Sequence, residues 1–395
     1  MAAPREYHQM TMLEAPPTVA NRQATTERRS AMTISTVDLF AGAGGLSLGF
    51  HLCDLGFVPV FAVEHDHAAA ETFERNFGCR VFDGDIEYGP AYPDADVIIG
   101  GPPCQGFSPL GRDRDDVSRA NLNGLWKHYL DAVRTIRPRA FVIENVPEFQ
   151  RSSQFIDLLG LLESDTTLRA YTAAYGVLDA ADYGVPQHRR RGILVAVRDH
   201  LAALPWPPPP THGPQSPGQI PYVTVRDAIG DLPSRTRGTE PEIVGDAQHL
   251  HFGRRPLPTS LERYRAIPPG GNRFDLMRNR PDITPACWAN KPTGTTDVMG
   301  RLWWDRPSGT IRTEFFKPEK GRYLHPTANR PISHREAARL QTFPDWFIFE
   351  GTKTEIARQI GNAVPPLLGA AIARYVHRHA FSPSRSGEGS RSTAG

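Results

Sequence analysis

The sequence predicts an α/β protein with a mostly parallel sheet and a smaller irregular domain, and three observations support this. Between residues 34 and 200, short β-branched runs alternate with helix-like segments, which is the pattern of βαβ units. A glycine-rich turn follows the first run. Acidic or nucleophilic side chains follow the later runs, at the sheet edge where such folds bind ligands.

The runs and periodicities place the elements in order. We expect strands at Ser35–Leu39, Val58–Val63, Arg80–Phe82, Asp96–Gly100, Ala140–Ile143, Tyr171–Leu178 and Gly192–Val197. We expect helices at Ala68–Phe77, Leu125–Ile136, His334–Leu340 and Ala363–His379.

A proline-rich segment, Pro205–Pro210, divides the chain. Such a stiff connector cannot continue a sheet. We therefore predict a first domain over 33–200, an irregular domain over 201–330 and a return to the first domain over 331–380. The polar segments 1–32 and 381–395 are predicted to be disordered tails.

Charge is distributed unevenly along the chain. The 395 residues include 45 Lys and Arg against 43 Asp and Glu, a net charge of +2. Residues 34–100 carry 2 basic and 11 acidic side chains, whereas residues 198–330 carry 19 basic and 13 acidic ones. This asymmetry indicates that one surface meets a polyanion, although a charged stretch is more often a solvated face.

Several classes of protein are disfavoured. No run of 18 apolar residues is present, so a membrane span is not expected. The polar start lacks the pattern of a secretory signal, and we expect a cytoplasmic protein. The four cysteines lack metal-ligand spacing, so no metal and no disulfide framework is predicted.

The glycine-rich turn is the first candidate site. Gly42, Gly44 and Gly45 lie between a strand and a helix-like run, where backbone amides can approach a ligand closely. A dinucleotide fingerprint would need glycine at position 47, and Ser47 there disfavours a nicotinamide cofactor. A purely structural turn is as common as a binding turn.

Acidic residues follow the next two strands. Glu64 ends the second strand, where a carboxylate can accept both hydroxyls of a ribose, and Asp85 follows the third. Either acid alone is more often a helix cap. The three signals together predict an adenosine-containing cofactor.

Two further strands deliver reactive residues. Cys104 follows the fourth strand in GPPCQGFS and is a candidate nucleophile, with a mobile lid predicted from Ser108 to Gly124, although a lone cysteine is usually a small buried hydrophobe. Glu144 ends the fifth strand, so it is either catalytic or part of a structural network. Gln187, Arg189 and Arg191 should share one face of a later strand.

These motifs resemble the DNA (cytosine-5)-methyltransferase family. DLFAGAGGLSLGF, GPPCQGFS, ENV, QHRRR, RPISHREAARLQTFPDWF and QIGNAVPP occur in the order of that family. The resemblance covers roughly residues 34–200 and 305–378. It implies a Rossmann-like domain that uses S-adenosylmethionine, and a target-recognition domain in the middle segment.

The resemblance also implies roles for individual residues. Cys104 would add to C6 of a flipped-out cytosine, Glu144 would assist at N3, and Arg191 with Arg189 would hold the base carbonyl. The implied catalytic set is Cys104, Glu144, Asn145, Arg189 and Arg191. The implied cofactor-binding set is Phe40, Gly42, Gly44, Gly45, Glu64, Asp85, Ile86, Pro103, Asn362 and Val364. No metal is expected.

The expected partner is double-stranded DNA, which a monomer would methylate at a specific sequence. The candidate DNA-binding residues are Gln105, Ser108, Arg254, Arg255, Arg273, Arg278 and Arg280. A cognate restriction endonuclease or other defence proteins would accompany the enzyme.

Three alternatives stay open on the sequence alone. A tRNA cytosine-5 methyltransferase would share the chemistry, but the basic segment at 200–330 favours DNA. An inactive DNA-binding homologue is disfavoured because Cys104, Glu144 and Arg191 are all present. An NAD oxidoreductase is disfavoured by Ser47.

Overall fold

The computed structural model describes residues 33–103, 116–200, 202–214, 220–244, 247–290 and 295–382, with residues 116–123 described through their backbone. A seven-stranded sheet organises the first part of this chain. Its strands are β1 (Ile34–Leu39), β2 (Phe57–Glu64), β3 (Arg80–Asp83), β4 (Val97–Gly100), β5 (Ala140–Asn145), β6 (Tyr171–Asp179) and β7 (Arg190–Arg198). Each strand lies within two residues of its predicted position, because buried parallel strands form uninterrupted apolar runs.

The strand order is β3-β2-β1-β4-β5-β7-β6. The first five of these strands are parallel, and β7 is antiparallel to both β5 and β6. The sheet therefore reverses its order at β1 and β4, whose carboxyl ends flank a ligand-binding crevice in this type of fold. The mostly parallel α/β prediction is confirmed.

Helices cover both faces of the sheet. In the first part of the chain they are α1 (Gly45–Leu52), α2 (His67–Phe77), α3 (Asp116–Ile136) and α4 (Ser153–Ser164). The start of α3 corrects one prediction: residues 116–124, expected to belong to a polar lid, form the first turns of a helix.

The chain returns to the sheet through α9 (His334–Leu340), α10 (Lys353–Asn362) and α11 (Pro366–Ala380). The predicted helix Ala363–His379 is therefore wrong at its start, since Pro365 and Pro366 cannot donate backbone hydrogen bonds and the chain begins a new helix there. The preceding α10 was not predicted. It begins at a capping box of Thr352 and Glu355.

Short elements make up the middle segment. They are β8 (His212–Gly213), β9 (Ile220–Pro221), α5 (Val225–Ile229), β10 (Glu242–Val244), β11 (Ala247–His249), α6 (Pro258–Arg265), α7 (Arg273–Asn279) and α8 (Ala286–Ala289). Part of this segment has a small core of its own, formed by Tyr264, Ile267, Leu276, Met299 and Leu324.

Another part of the middle segment shares its core with the returning helices. Val225, Ile229 and Phe252 pack in one buried cluster with Leu340 and Ile360. Residues 223–252 are thus attached to the returning helices by apolar packing. No helix in the described part of the chain is long and apolar enough to span a bilayer.

Candidate active site

The glycine-rich turn lies where it was predicted, between β1 and α1. Phe40, Gly42 and Gly44 all have positive φ angles, of 59°, 54° and 85°. This conformation is unusual for phenylalanine, and such outliers concentrate at functional sites. A Cβ added at Gly42 would meet nothing within 4 Å, so the backbone there is open to a ligand.

Glu64 fixes this turn from the neighbouring strand. Its carboxylate accepts hydrogen bonds from the amide of Gly42 at 2.7 Å and from the amide of Asp66 at 2.8 Å. The side chain is almost fully buried. Nδ1 of His65 lies 3.1 Å from Oε1 of Glu64 as well. Because an ionised carboxylate has about four acceptor positions, about one remains for a ligand's hydroxyl group.

A buried pair, Asp38 and Ser47, joins the two ends of the turn. Oδ2 of Asp38 accepts a hydrogen bond from Oγ of Ser47 at 2.7 Å. Burial raises the pKa of Asp38 to about 7, which the hydrogen bond from Ser47 opposes and the charge of Glu64 reinforces. This pair was not predicted, because in the sequence Ser47 is notable only for standing where a dinucleotide fingerprint has glycine.

The end of the chain completes the turn from the other side. A Cβ added at Gly45 would lie 2.4 Å from the carbonyl oxygen of Val364 and 3.1 Å from Cβ of Ala363. Ala363 and Val364 therefore lie against the glycine-rich turn, whereas the carbonyl oxygen of Asn362 lies 3.3 Å from Nη2 of Arg189. Val364 is buried, whereas Asn362 is exposed.

Asp85 and Ile86 follow β3 at the same edge. Asp85 is exposed and caps a short 3-10 helix through the amide of Glu87. Ile86 is buried in the core cluster beneath the sheet edge. Of the two residues, Asp85 thus has an exposed side chain at this edge, whereas Ile86 is part of the core.

The carboxyl end of β4 carries Gly101, Pro102 and Pro103, and it is held by the end of β5. Nδ2 of Asn145 donates to the carbonyl oxygen of Pro102 at 2.9 Å. Cys104, Gln105 and Ser108 lie outside the described residues. The structure therefore defines the backbone that leads to Cys104.

Glu144 lies beside this strand end and forms an ion pair. A Cβ added at Gly101 would lie 2.8 Å from Oε2 of Glu144, so the carboxylate rests against the glycine. Oε1 of Glu144 lies 2.8 Å from Nε of Arg191, and both side chains are mostly buried. The Glu144 carboxylate at the end of β5 and the Arg191 guanidinium at the start of β7 are thus held together.

Arg189 has a different environment from the one predicted. Its guanidinium is buried and donates to the carbonyl oxygens of Ile311 and Gly361, each at 2.9 Å, and more weakly to that of Asn362. Burial lowers the pKa of this guanidinium well below its usual value. Arg189 does share a face with Gln187 and Arg191, but these contacts bind it to the returning chain and argue against contact with a substrate.

The predicted DNA-binding arginines also differ among themselves. Arg254 and Arg255 are exposed at a cavity of about 420 Å³, which Phe252, Phe316 and His334 also line. Arg278 is paired with Asp275 at 2.7 Å, and Arg280 with Asp282 at the same distance. Arg254 and Arg255 therefore keep more of their charge available to a polyanion.

Several basic residues of the middle segment are buried, so the net charge of residues 198–330 overstates the charge that DNA can meet. Arg273, counted among the DNA-binding candidates, is only 6% exposed, and its guanidinium lies over the ring of Phe274 at 4.6 Å. Arg301 and Arg322 are also buried and donate to backbone carbonyl oxygens. Part of the positive charge of residues 198–330 thus stabilises the segment internally, and the Arg273 contact with DNA is disfavoured.

The strand order, with β7 antiparallel between β5 and β6, defines a Rossmann-like methyltransferase fold. The chain matches the family described as C-5 cytosine-specific DNA methylase over residues 34–378, and it belongs to that family. It is a DNA (cytosine-5)-methyltransferase. The family uses S-adenosylmethionine as its methyl donor.

Three relatives illustrate the similarity. The type II methyltransferase M.AgeI of Thalassovita gelatinovora is 33% identical over 87% of this chain and 99% of its own length. M.NgoFVII of Neisseria gonorrhoeae is 34% identical over 84% of this chain and 83% of its own. A crystal structure described as a prophage-encoded DNA modification methyltransferase from E. coli is 26% identical over 88% of this chain and 99% of its own, with a TM-score of 0.67.

Proposed function

We propose that this enzyme methylates C5 of a flipped-out cytosine in a specific sequence of duplex DNA, through a covalent bond between Cys104 and C6. The observation that carries this proposal is the pairing of Glu144 with Arg191 at 2.8 Å. The pair lies against Gly101, three residues before Cys104. The acid and its orienting cation thus lie at the end of the strand that leads, in the sequence, to Cys104.

The glycine-rich turn is the proposed site for S-adenosylmethionine. The open space over Gly42 and the remaining acceptor position of Glu64 fit an adenosine with a ribose hydroxyl on the carboxylate. Phe40, Asp85 and Ile86 would contact the adenine. Gly44, Gly45, Pro103, Asn362 and Val364 would complete the walls. When bound, S-adenosylmethionine supplies an electrophilic methyl group.

The residues of this chain would activate the cytosine, whose C5 is a poor nucleophile. The Cys104 thiolate forms a bond to C6 while Glu144 delivers a proton to N3, and the displaced electron pair makes C5 nucleophilic. Arg191 keeps the Glu144 carboxyl in place and faces the base carbonyl. After C5 has gained the methyl group, water acting as a base takes the C5 proton, the C5–C6 double bond forms again and the Cys104 thiolate is expelled. The proton on N3 returns to Glu144.

This chemistry requires the base to leave the duplex, because neither face of C6 is accessible within a base stack. The middle segment would bind the surrounding DNA through exposed arginines, including Arg254 and Arg255. We propose that the enzyme acts as a monomer. We also propose that it accompanies a restriction endonuclease, because its relatives are named type II methyltransferases.

Transfer of a labelled methyl group tests the activity. Purified enzyme is incubated with labelled S-adenosylmethionine and either unmethylated bacterial DNA or tRNA, and bisulfite sequencing then locates the modified cytosines. We expect label in DNA at one recurring sequence. Label in tRNA alone, or in neither substrate, would overturn the proposal.

A duplex containing 5-fluorocytosine at the identified site tests the mechanism. The fluorine cannot leave as a proton does, so the adduct with the enzyme should persist under denaturing electrophoresis. We expect an adduct with the natural enzyme and none with Cys104→Ala. Methyl transfer to ordinary DNA without any adduct would retain the function but reject Cys104 as the nucleophile.

A further inference from the structure

Two consecutive tryptophans, Trp303 and Trp304, carry arginine side chains on their rings. The guanidinium of Arg322 lies 3.9 Å from the ring centre of Trp303, and that of Arg306 lies 4.6 Å from it. The guanidinium of Arg226 lies 5.0 Å from the ring centre of Trp304. Such contacts hold a planar cation in one orientation.

Backbone hydrogen bonds bring the two exposed arginines together. The amide of Arg226 donates to the carbonyl oxygen of Trp304, and the amide of Val225 donates to that of Arg306, each at 3.0 Å. The start of α5 is therefore paired with residues 304–306. Arg226 and Arg306 consequently lie on neighbouring backbone segments of one surface.

Arg322 anchors this arrangement from inside. Its side chain is 8% exposed and donates to the carbonyl oxygens of Gly271 and Arg301, at 3.1 and 2.7 Å. Because Arg322 is committed to the backbone, Trp303 rests on a fixed support. The outer arginine, Arg306, is then positioned by a rigid ring.

The side chains of the two outer arginines, Arg226 and Arg306, are exposed. Among the described residues, Asp305 at 3.9 Å is the one carboxylate within 4 Å of Arg306, and none lies within 4 Å of Arg226. By contrast, Arg278 is paired with Asp275 at 2.7 Å. Arg226 and Arg306 are therefore better suited to bind an external anion than Arg278.

The same segment is attached to the catalytic strand. Residues 308–310 pair with residues 186–188, through the amide of His188 to Ser308, the amide of Ser308 to Pro186, and Oγ1 of Thr310 to His188. Residue 188 is followed within three positions by Arg191. The exposed arginines thus sit on a segment fixed to the start of β7.

We propose that Arg226 and Arg306, oriented by Trp304 and Trp303, bind backbone phosphates of the DNA beside the target cytosine. The inference rests on the proposed function, since it needs duplex DNA as the substrate. A guanidinium fits phosphate oxygens with paired donors, and stacking on a ring reduces the rotamer entropy that binding would otherwise cost.

The salt dependence of DNA binding tests this proposal. The Kd for a duplex carrying the identified site is measured between 50 and 200 mM salt for the natural enzyme and for Arg226→Ala, Arg306→Ala and the double variant. Each lost phosphate contact should reduce the slope of log K against log salt by about 0.9 and weaken binding about tenfold at the lowest salt. Arg75→Ala, an exposed arginine of α2 paired with Glu350 at 3.0 Å, is the matched control and should change neither quantity.

The rings are tested separately from the charges. Trp304→Leu keeps both arginines, so it should weaken binding while the salt slope stays that of the natural enzyme. The affinity for S-adenosylmethionine and the melting temperature should be unchanged in the arginine variants, which excludes misfolding as the cause.

The outcomes separate this inference from the proposed function. If the natural enzyme methylates DNA and the double variant has the natural slope, the phosphate contacts are rejected and the function stands. A reduced slope in Arg75→Ala equal to that in the double variant would also reject them. An enzyme that methylates no DNA contradicts the proposed function itself.

Discussion

Asp38 accepts a 2.7 Å hydrogen bond from Ser47 across the base of the glycine-rich turn, and both side chains are buried. The pKa of Asp38 in the folded protein is about 7, against about 3.9 for an aspartate in an unfolded chain. The folded state therefore binds this proton more tightly. The stability it contributes is present at low pH and is lost as the pH rises from about 4 through 7.

We predict that Asp38→Asn makes the enzyme less sensitive to rising pH. The asparagine stays neutral and can still accept from Ser47, so the free energy of unfolding of the variant relative to the natural enzyme should increase between pH 5 and pH 8 by about 2–3 kcal/mol. Denaturant unfolding at unit pH intervals measures this difference. Asp94→Asn, on an exposed loop, is the matched control, and a relative stability that does not change with pH would contradict the prediction.

Gly42 has a positive φ angle and Gly45 does not, so the backbone angles alone suggest that alanine is tolerated better at Gly45. We predict the opposite order. Gly42→Ala meets open space and should cost only the left-handed conformation, about 1 kcal/mol. Gly45→Ala places a methyl group 2.4 Å from the Val364 carbonyl oxygen and must displace the returning chain. Gly45→Ala should therefore lose more stability, as measured by calorimetric unfolding. A larger loss of stability in Gly42→Ala than in Gly45→Ala would show that Val364 does not constrain the turn.

The positions at the ends of parallel strands could be predicted from the sequence, because one geometrical rule brings them together. Glu64, Asp85 and Glu144 each end or follow a strand, and all lie along the carboxyl edge of the sheet. The partners of the two arginines could not be predicted. Arg191 reaches Glu144 and Arg189 does not, because Arg189 is bound by carbonyl oxygens more than 100 residues further along the chain.

The same limit applies to charge. A count of arginines cannot show that Arg273, Arg301 and Arg322 are buried, since burial depends on long-range packing. Trp303 and Trp304 gave no signal either. Their importance comes from the arginines that other segments place over their rings.

Glu144→Gln should reduce the methyl-transfer rate without preventing DNA binding. The amide keeps the shape of the carboxyl group but cannot deliver a proton to N3, so the single-turnover rate should fall by about 100- to 10,000-fold. Kd for DNA and for S-adenosylmethionine should change little. Glu148→Gln, an exposed change four residues away, is the control. A natural rate in Glu144→Gln would exclude the acid from the reaction.

Arg189 and Arg191 are separated by one residue, and we predict that their loss affects different properties. Arg189→Met leaves the buried carbonyl oxygens of Ile311 and Gly361 without donors, each at a cost of about 1–3 kcal/mol, so the melting temperature should fall markedly. Arg191→Met removes the partner of Glu144 and should lower the methyl-transfer rate much more than it lowers stability. Thermal unfolding and single-turnover rates measured on both variants check this division. Arg191→Lys, which keeps the charge, should recover part of the rate. If Arg189→Met melts like the natural enzyme but loses activity, Arg189 would belong to the substrate site after all, as the sequence first suggested.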